Sequence, residues 1–573
     1  MSRDVEERPI WFGDDGAQLF GWLHIPSSLT ARAGLLLCPP LARELSATSP
    51  AYRRLASATA ARGFLVLRFA YHGTGDSAGI WPEESCVDLW TGDLRRAAGL
   101  LRSMGCMSLV AVGALSGSLV LAEAIRQQQG LFDSTALWDP YPSGRAFLRA
   151  EQLAARVADI VVDTSGDHVE LPGYRLSPRV ATEIGALTLT PLPEPLAVRL
   201  AVIERKDRPA LGNTLTARGR RTETVTVGGG IEPGEVLNAR AGVPLPGETD
   251  LVAWLESATS AERALLTLPV SSPSTVIVQP SGAQLREEAV ALGPAQLFGI
   301  ATSTAGLAPR ERAAVVLLSV ADENHIGTFR QWVTLARSLA ERGFTVLRCD
   351  LSGIGDSPTR PGGVPHAINA DHAVDDVTEI VAAFRPDLPT VLVGLCSGAD
   401  VAVDATLSGT SVDDLVLINP GYRRVRGPSP EAASPRTAIA GRLQRLRLLR
   451  AARERHPGAT FRLLDLLGID RSPVRHLMAL RDSRTRIHLL LGDADTCWNE
   501  QHGGWLLRYL VRSKSLEFIR VTDLDHAGAG SIGRAALLDA VTDLLERSYP
   551  GSRSPLAPPP EIVGARAECP SVM

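Results

Sequence analysis

The sequence predicts an α/β fold that is built twice along the chain, each time as a mainly parallel, doubly wound sheet with helices on both faces. Two observations lead to this prediction. Four short segments recur in the same order at a nearly constant offset, and within each copy short apolar runs alternate with stretches of helical spacing. Such alternation is typical of parallel sheets, because a parallel connection has to cross over the sheet and usually does so as a helix.

The repeat consists of four pairs of matching sequence segments. The recurring pairs are AQLFGW at 17–22 and AQLFGI at 295–300, RGFLVLR at 62–68 and RGFTVLR at 342–348, a Gly-x-Gly-Asp-Ser loop at 73–77 and 353–357, and VGALSG at 112–117 and VGLCSG at 393–398. The offsets of 278 to 281 residues far exceed the roughly 20–50 residues of a solenoid period. We therefore interpret the repeat as a duplicated domain.

Each copy supplies the same succession of elements. Strands are predicted at 34–40, 64–70, 109–114, 135–140 and 200–205 in the first copy, and at 314–320, 344–350, 390–395, 414–420 and 486–492 in the second. Between the first two strands of the second copy, residues 329–343 have helical spacing and end on Gly343, a residue that commonly stops a helix. Matching order in both halves supports one architecture used twice.

The domain limits follow from these elements and from composition. We predict a first domain at 1–260, a linker rich in Pro and Ser at 261–285, a second domain at 286–551, and a disordered tail at 552–573.

Composition excludes several functional classes. The hydrophobic fraction of 45% and the charged fraction of 21% are ordinary for a globular protein, and the net charge of −4 argues against binding of nucleic acid. No apolar run reaches the length of a membrane span, and the polar start lacks a signal-peptide pattern, so we expect a cytoplasmic protein. The seven scattered cysteines form no CxxC pair, so neither a metal site nor a cofactor is predicted.

One cysteine lies in a motif. A predicted strand leads into Gly394-Leu-Cys396-Ser-Gly398, and a helical stretch follows. This is the pattern of a nucleophile elbow, a strained turn that needs a glycine two residues before and after the nucleophile because the backbones approach closely. The centred residue is Cys396. The alternative interpretation is a buried core cysteine beside a glycine turn.

At these residues the chain resembles the α/β-hydrolase superfamily, in tandem duplication. The resemblance extends to the Asp-x-x-Gly-x-Gly-x-Ser loop at 350–357 and covers nearly all of both copies, and it implies a cap insertion, here at about 421–486. Most members carry Ser at the elbow. A Cys there is similar to dienelactone hydrolases and to Cys-dependent acyl- and aminoacyltransferases.

The resemblance also implies an acid and a histidine, in that order, after the nucleophile. Asp495 follows the predicted strand 486–492, with Asp493 as the alternative acid, and His526 lies in a loop before the last helix. The oxyanion would be held by the backbone N–H of Ser397 and by that of Val320 or Ala321. The polar residues 322–325 either line the pocket or form a turn.

The first copy lacks these roles. Leu115 stands where Cys396 stands in the second copy, Ser116 is one residue late, and no histidine occurs between His168 and His325, although Asp207 is available as an acid. We expect the first domain to be catalytically inactive, serving as a scaffold, as a partner that covers the second domain, or as a docking module.

Two functional hypotheses from different classes follow. The first is an enzyme that uses a Cys-His-Asp triad on an ester or thioester through an S-acyl intermediate, as a hydrolase or thioesterase or, alternatively, as an acyl- or aminoacyltransferase in biosynthesis. Its substrate would be a small molecule or a carrier-bound acyl group. An Arg-rich cap segment either forms a basic rim that receives an acidic acyl carrier protein or a CoA phosphate, or is a solvated helix face. The second is a non-catalytic scaffold. A redox-sensing thiol is disfavoured, because no resolving cysteine lies nearby in sequence.

Overall fold

The computed structural model describes residues 5–157, 168–190, 199–206, 211, 222–227, 247–268, 274–306, 312–367, 370–421, 475–481 and 483–550. These residues contain two large sheets, one of eight strands and one of nine. Both sheets are mostly parallel, so the predicted α/β fold is confirmed. We refer to residues 5–268, which include the first sheet, as the first copy, and to residues 274–550, which include the second, as the second copy.

The first copy alternates strands and helices as predicted. Its strands are β1 (Val5–Phe12), β2 (Leu19–Pro26), β3 (Thr30–Ala31), β4 (Ala33–Cys38), β5 (Phe64–Phe69), β6 (Leu109–Ala114), β7 (Ser134–Trp138), β8 (Val169–Leu171), β9 (Tyr174–Leu176), β10 (Arg199–Arg205), β11 (Thr222–Val227) and β12 (Ala264–Leu265). Its helices are α1 (Glu44–Ala60), α2 (Val87–Ser103), α3 (Gly117–Gln127), α4 (Gly144–Val157), α5 (Pro178–Ala186) and α6 (Glu248–Ser257). Strands β8 and β9 form a separate hairpin, and β12 pairs with β3.

The second copy continues the same alternation. Its strands are β13 (Ser274–Val278), β14 (Gln284–Leu292), β15 (Leu297–Thr304), β16 (Ala314–Leu318), β17 (Thr345–Cys349), β18 (Thr390–Leu395), β19 (Asp414–Ile418), β20 (Arg486–Leu491) and β21 (Glu517–Arg520). Its helices are α7 (Gln331–Glu341), which a short 3₁₀ turn (Thr328–Arg330) precedes, α8 (Ala373–Ala383), α9 (Ser397–Leu407), α10 (Arg475–Ala479), α11 (Asp493–Arg512) and α12 (Ser531–Ser548).

Strand order repeats between the two sheets. The first runs β1-β2-β5-β4-β6-β7-β10-β11, and the second runs β14-β15-β17-β16-β18-β19-β20-β21 with β13 added at its edge. In both, the leading strands are antiparallel, and pairing becomes parallel from β5 and from β17 onward. The sequence repeat therefore corresponds to a repeated topology.

Each sheet is covered on both faces. In β4, Leu36 and Cys38 join the core cluster beneath α2 and α3, whereas Leu35 and Leu37 join the cluster beneath α1 and α6. Successive side chains of a strand point to opposite faces, so a strand covered on both sides has to be apolar throughout. That requirement explains the unbroken apolar runs of the central strands.

Part of the predicted linker is a strand. Residues Ser274–Val278 lie inside the segment 261–285 but pair antiparallel with β14 at the edge of the second sheet. Thr275 and Ile277 are buried while Val276 and Val278 are exposed, the alternation of a half-covered edge strand. The Pro and Ser residues that precede this strand are typical of a linker, and a strand of only five residues is too short to show a clear alternation. The predicted tail, 552–573, lies outside the described residues.

The two copies meet through reciprocal buried ion pairs. Arg68 of the first copy donates to Asp356 of the second at 2.6 Å, and Arg348 of the second donates to Asp76 of the first. Both arginines and both aspartates are related by the same offset of 280 residues. Equivalent residues that exchange partners in this way are the mark of a two-fold contact, here between two halves of one chain.

No helix in the described part of the chain is both long and apolar enough to cross a membrane.

Candidate active site

Cys396 lies at the junction between β18 and α9, in a sharply strained turn. Its backbone has φ 51° and ψ −115°, a conformation that L-residues rarely adopt outside functional turns. A side chain at Gly394 would come within 2.5 Å of the Ala399 nitrogen, and one at Gly398 within 2.5 Å of the Leu318 oxygen. Both glycines of the motif are therefore required by close packing, and they present Cys396 half-exposed at the carboxyl end of the sheet.

Leu115 occupies the corresponding turn of the first copy. Its φ is 49°, and its N–H donates to Trp138 as that of Cys396 donates to Ile418, at 2.9 Å in both cases. The turn is thus preserved in the first copy, although its central side chain has no nucleophilic atom. Asp207, the acid considered for this copy, lies outside the described residues.

His526 and Asp495 are in direct contact. The Nδ1 atom of His526 lies 3.0 and 3.1 Å from the two carboxylate oxygens of Asp495. Hydrogen bonds to Asp495 first, and then to the Cys396 thiol, raise the pKa of His526 to about 10. Of the three residues predicted for the triad, Asp495 and His526 are thus in hydrogen-bond contact, and Cys396 contributes to the raised pKa of His526.

The alternative acid faces another partner. Asp493 accepts from the Arg520 guanidinium at 2.7 Å and from the Asp523 N–H at 3.1 Å. Both it and Asp495 lie in the first turn of α11. Residues two positions apart on a helix point to different sides, which is why only Asp495 meets His526.

Asn419, which no sequence motif indicates, links Gly492, at the start of the helix that carries Asp495, to the loop that carries His526. Its side-chain oxygen accepts from the Gly492 N–H at 2.8 Å, and its side-chain nitrogen donates to the carbonyls of Asp525 and His526 at 3.2 and 3.1 Å. It is fully buried at the end of β19. The available signal was a polar residue directly after an apolar strand that neighbours the elbow strand.

One of the three predicted oxyanion donors is already bound to a side chain. The Ala321 N–H donates to the Ser397 hydroxyl at 2.6 Å, so it is occupied in this arrangement and does not point freely at a substrate. Ser397 is the first residue of α9, and its own N–H has no acceptor within the helix. Val320 packs beside Cys396 against the core cluster of that face.

In the first copy, the Glu44 carboxylate binds Ser116, the residue that corresponds to Ser397. Ser116 accepts from the Leu41 N–H at 2.7 Å, as Ser397 accepts from Ala321. Its backbone N–H and its hydroxyl then both donate to one oxygen of Glu44, at 3.1 and 2.5 Å. Burial raises the pKa of Glu44 to about 7, with nearby Glu151 adding to the shift. At the offset of 280 residues, Asn324 of the second copy corresponds to Glu44.

His325, in the turn that was expected either to line the pocket or to be a plain polar turn, lies at the contact between the copies. Its Nδ1 and Nε2 atoms lie 2.9 Å from Asp350 and 2.9 Å from Asp76 of the first copy. Burial alone would lower its pKa, but the two carboxylates outweigh burial and raise the pKa to about 10. His325 is thus an interface residue.

An open cleft of about 350 Å³ adjoins the elbow on the Ser397 side. It is lined among others by Ser319, Ala321, Ile354, Ser397 and Val401. The backbone of Gly421 also approaches the Cys396 sulfur, and a Cβ added at Gly421 would stand 3.2 Å from it. Most of the predicted cap at 421–486, including its Arg-rich half, lies outside the described residues.

Comparison with known proteins agrees with this architecture. The profile of the family described as "Serine aminopeptidase, S33" matches residues 310–460, about a quarter of the chain. No curated protein matches the chain in sequence.

Several solved structures are similar to one half of the chain. They include a thermophilic esterase from Thermogutta terrifontis (17% identity, 46% of this chain and 99% of that one, TM-score 0.28), a dienelactone hydrolase from Anabaena variabilis (11%, 48% and 99%, 0.29) and Est1E from Butyrivibrio proteoclasticus (10%, 44% and 98%, 0.31). The family match, together with the strand order and the strained elbow described above, confirms the resemblance. Residues 310–460 thus match an α/β-hydrolase family, and both copies have the α/β-hydrolase fold.

Proposed function

We propose that the second copy acts on an ester or thioester with Cys396 as nucleophile, His526 as base and Asp495 as the residue that orients and stabilises the imidazole. The observation that carries the proposal is the contact of the His526 imidazole with the Asp495 carboxylate at 3.0 Å, together with the Cys396 sulfur, which also raises the pKa of that imidazole. A nucleophile and a base in contact, with the base held by a third group, is the general signature of covalent catalysis.

The reaction would proceed in two steps. His526 takes the thiol proton through Nε2, since Nδ1 faces Asp495, and the sulfur bonds to the substrate carbonyl carbon. When the tetrahedral species collapses, the bond to the leaving alcohol or thiol breaks, and that group takes the proton from His526. Water or another acceptor then gives its proton to His526 and attacks the S-acyl group, which releases Cys396.

Ser397 supplies the oxyanion contact in this scheme through two groups. Its backbone N–H and its hydroxyl would donate to the developing negative charge, while the Ala321 N–H orients the hydroxyl. Support comes from the first copy, where the equivalent N–H and hydroxyl of Ser116 bind a carboxylate oxygen of Glu44. In this scheme the Ala321 N–H, which the sequence predicts as a direct oxyanion donor, instead orients the Ser397 hydroxyl.

Sulfur chemistry favours thioesters and transfer. A Cys nucleophile exchanges one thioester for another at nearly equal free energy, so the acyl group stays reactive toward a second thiol, an amine or water. Acyl or aminoacyl transfer between carrier thiols or to an amine is therefore the second candidate, and an acyl carrier protein is its candidate partner. A purely scaffolding role is the remaining alternative.

The proposal is tested by incubating the protein with a thioester and then measuring the intact mass of the protein. Phenyl thiobutyrate is the probe, and wild type is expected to gain one butyryl group that Cys396→Ala does not gain. Ser397→Ala, which keeps the backbone N–H but loses the hydroxyl, is expected to slow acylation on the order of 10²-fold. Cys497→Ala serves as the control, because Cys497 is the other half-buried cysteine of the described residues.

The acceptor is assigned by supplying water, an amine or a thiol to the acylated protein in separate reactions. Rapid loss of the butyryl group in buffer alone indicates a hydrolase, whereas loss only with amine or thiol indicates a transferase. An unacylated wild type, or a Cys396→Ala variant that turns over the probe as fast as wild type, contradicts the proposed nucleophile.

A further inference from the structure

A hairpin of the first copy contacts the loop that carries His526. Strands β8 and β9 lie between β7 and β10, the same place in the topology at which the second copy has its predicted cap. At the tip of the hairpin, the Gly173 N–H donates to the Ala529 carbonyl at 2.8 Å, and the Gly173 carbonyl accepts from Arg534 at 2.6 Å. The two copies are therefore joined within three residues of His526.

Neighbouring side chains make the contact specific. Arg534 is half-buried, and its guanidinium also donates to the Gly528 carbonyl at 2.9 Å, so that it links the hairpin to the loop. Ser531 donates to Glu170 of β8 at 2.9 Å. Both contacts lie at the start of α12, the helix that follows the loop.

Gly173 has no room for a larger residue. Its φ of +76° lies in the left-handed region, and an added Cβ would overlap the ring of Phe329. That ring packs edge-on against Tyr174 with centroids 6.3 Å apart, and the Arg534 guanidinium lies 5.8 Å from its centre. The hairpin tip is thus enclosed by second-copy residues on two sides.

The loop depends on backbone contacts for its shape. The side chain of His526 is 48% exposed, so core packing does not hold it. Asn419 binds the carbonyls of Asp525 and His526, and the Asp525 carboxylate accepts from the N–H groups of Ala527, Ala529 and Gly530. The Ala529 carbonyl is the group that the first copy binds.

We propose that the β8–β9 hairpin of the first copy positions His526 for catalysis in the second. The inference rests on the proposed function of the second copy. It assigns to the inactive copy the role of a positioning element, which acts through the Ala529 carbonyl and the Arg534 side chain. The expected consequence of disturbing the hairpin is a lower kcat at unchanged KM, because base alignment changes while substrate binding does not.

The main test compares two glycine substitutions in the first copy. Gly173→Ala places a methyl group against Phe329, whereas Gly130→Ala imposes similar backbone strain, at φ +72°, where nothing lies within 4 Å. With p-nitrophenyl butyrate as probe, Gly173→Ala is expected to lower kcat on the order of 10-fold to 100-fold with KM preserved. Gly130→Ala is expected to match wild type.

Alkylation of Cys396 by iodoacetamide provides a readout that is independent of the substrate. In this reaction the sulfur displaces iodide and the thiol proton passes to His526. The His526→Ala variant gives the rate at which Cys396 is alkylated in the absence of the proposed base. Gly173→Ala is expected to shift the pH profile of alkylation from the wild-type curve toward that of His526→Ala, a change that a merely structural defect away from the loop would not produce.

A second pair of variants covers the case in which Gly173→Ala does not fold. Glu170→Ala removes the acceptor of Ser531, and Glu170→Gln retains it. Loss of kcat in Glu170→Ala with recovery in Glu170→Gln supports the inference. Wild-type kcat and alkylation profiles in both Gly173→Ala and Glu170→Ala overturn it, while an inactive Cys396→Ala then leaves the proposed function intact. An active Cys396→Ala overturns the proposed function instead.

Discussion

At the scale of single residues, the elbow separates backbone strain from chemistry. Leu115 and Cys396 occupy the same left-handed conformation, with φ values of 49° and 51°. The strained turn is therefore kept whether or not its central side chain can react, because the glycines and the adjoining strands hold it. Only the side chain differs, and with it the proposed chemistry. The proposed reactivity therefore depends on the side chain at the centre of a turn that both copies share.

The two aspartates at the start of α11 give a residue-scale prediction. Asp495→Asn is expected to lower turnover of p-nitrophenyl butyrate at least ~100-fold, because His526 loses the carboxylate that raises its pKa and fixes its ring. Steady-state kinetics between pH 6 and 9 measure the effect. Asp493→Asn is the matched control and is expected to stay within about twofold of wild type, because Asp493 contacts Arg520 instead. Equal losses in both variants would contradict the assignment of the acid.

At the scale of elements, the carboxyl ends of β18, β19 and β20 bring the proposed site together. The elbow follows β18, Asn419 follows β19, and Gly492 with the first turn of α11 follows β20. Parallel strands end at one edge of the sheet, so loops that are far apart in sequence become neighbours there. The same rule places Asp139 of the first copy, which the repeat aligns with Asn419, at the end of β7.

Asn419 yields the element-scale prediction. Asn419→Asp, which introduces the residue of the first copy, keeps an acceptor for the Gly492 N–H but removes the donor to the carbonyls of Asp525 and His526. We expect a loss of kcat of about tenfold at unchanged KM, together with slower alkylation of Cys396 at neutral pH. Asn419→Ala loses both contacts and is expected to be at least as impaired. Retention of full kcat by both variants would contradict a positioning role.

At the scale of the whole molecule, the duplication has become an internal pseudo-dimer. Arg68 with Asp356 and Arg348 with Asp76 exchange partners across the contact. Arg337 of the second copy, held by a bidentate pair with Glu287 of the same copy, donates across the contact to the Asp76 carbonyl at 3.0 Å. Removing one partner of a buried pair leaves an uncompensated charge, so the contact tolerates little change.

The pH dependence of stability follows from His325. Its pKa is raised to about 10 by Asp350 and Asp76, so the folded chain binds a proton that the unfolded chain releases near pH 6.5. The contribution of this charge is complete below about pH 6.5 and is lost as the pH rises through about 10. Urea denaturation from pH 6 to 10 is expected to show the free energy of unfolding of wild type falling more steeply than that of His325→Gln.

The exposed Asp387, which pairs with Arg385 at the surface, offers the control. Asp387→Asn is expected to leave the pH dependence of the free energy of unfolding as it is in wild type. Identical pH slopes in wild type and His325→Gln would contradict the role assigned to the interface histidine.

Much of the fold was accessible from local patterns. The predicted strand at 109–114 coincides with β6 and the one at 390–395 with β18, because strands covered on both faces are continuous apolar runs. The edge strand β13 lies in a segment whose composition predicts a linker, since a half-covered strand of five residues leaves little periodicity. The occupation of the Ala321 N–H by Ser397 was also out of reach, because a side-chain rotamer decides it.

The amino-acid sequence is enough to identify a duplicated α/β-hydrolase fold with a cysteine in one elbow and a leucine in the other. These properties depend on periodicity, on glycine spacing and on chain order, all of which are local or sequential. Three further features are visible only in the folded chain. They are the contact of Asp495 with His526, the link that Asn419 makes to the His526 loop, and the contact of the first copy with that loop through Gly173. Such contacts join residues tens to hundreds of positions apart, and only the folded path of the chain brings them within hydrogen-bond distance.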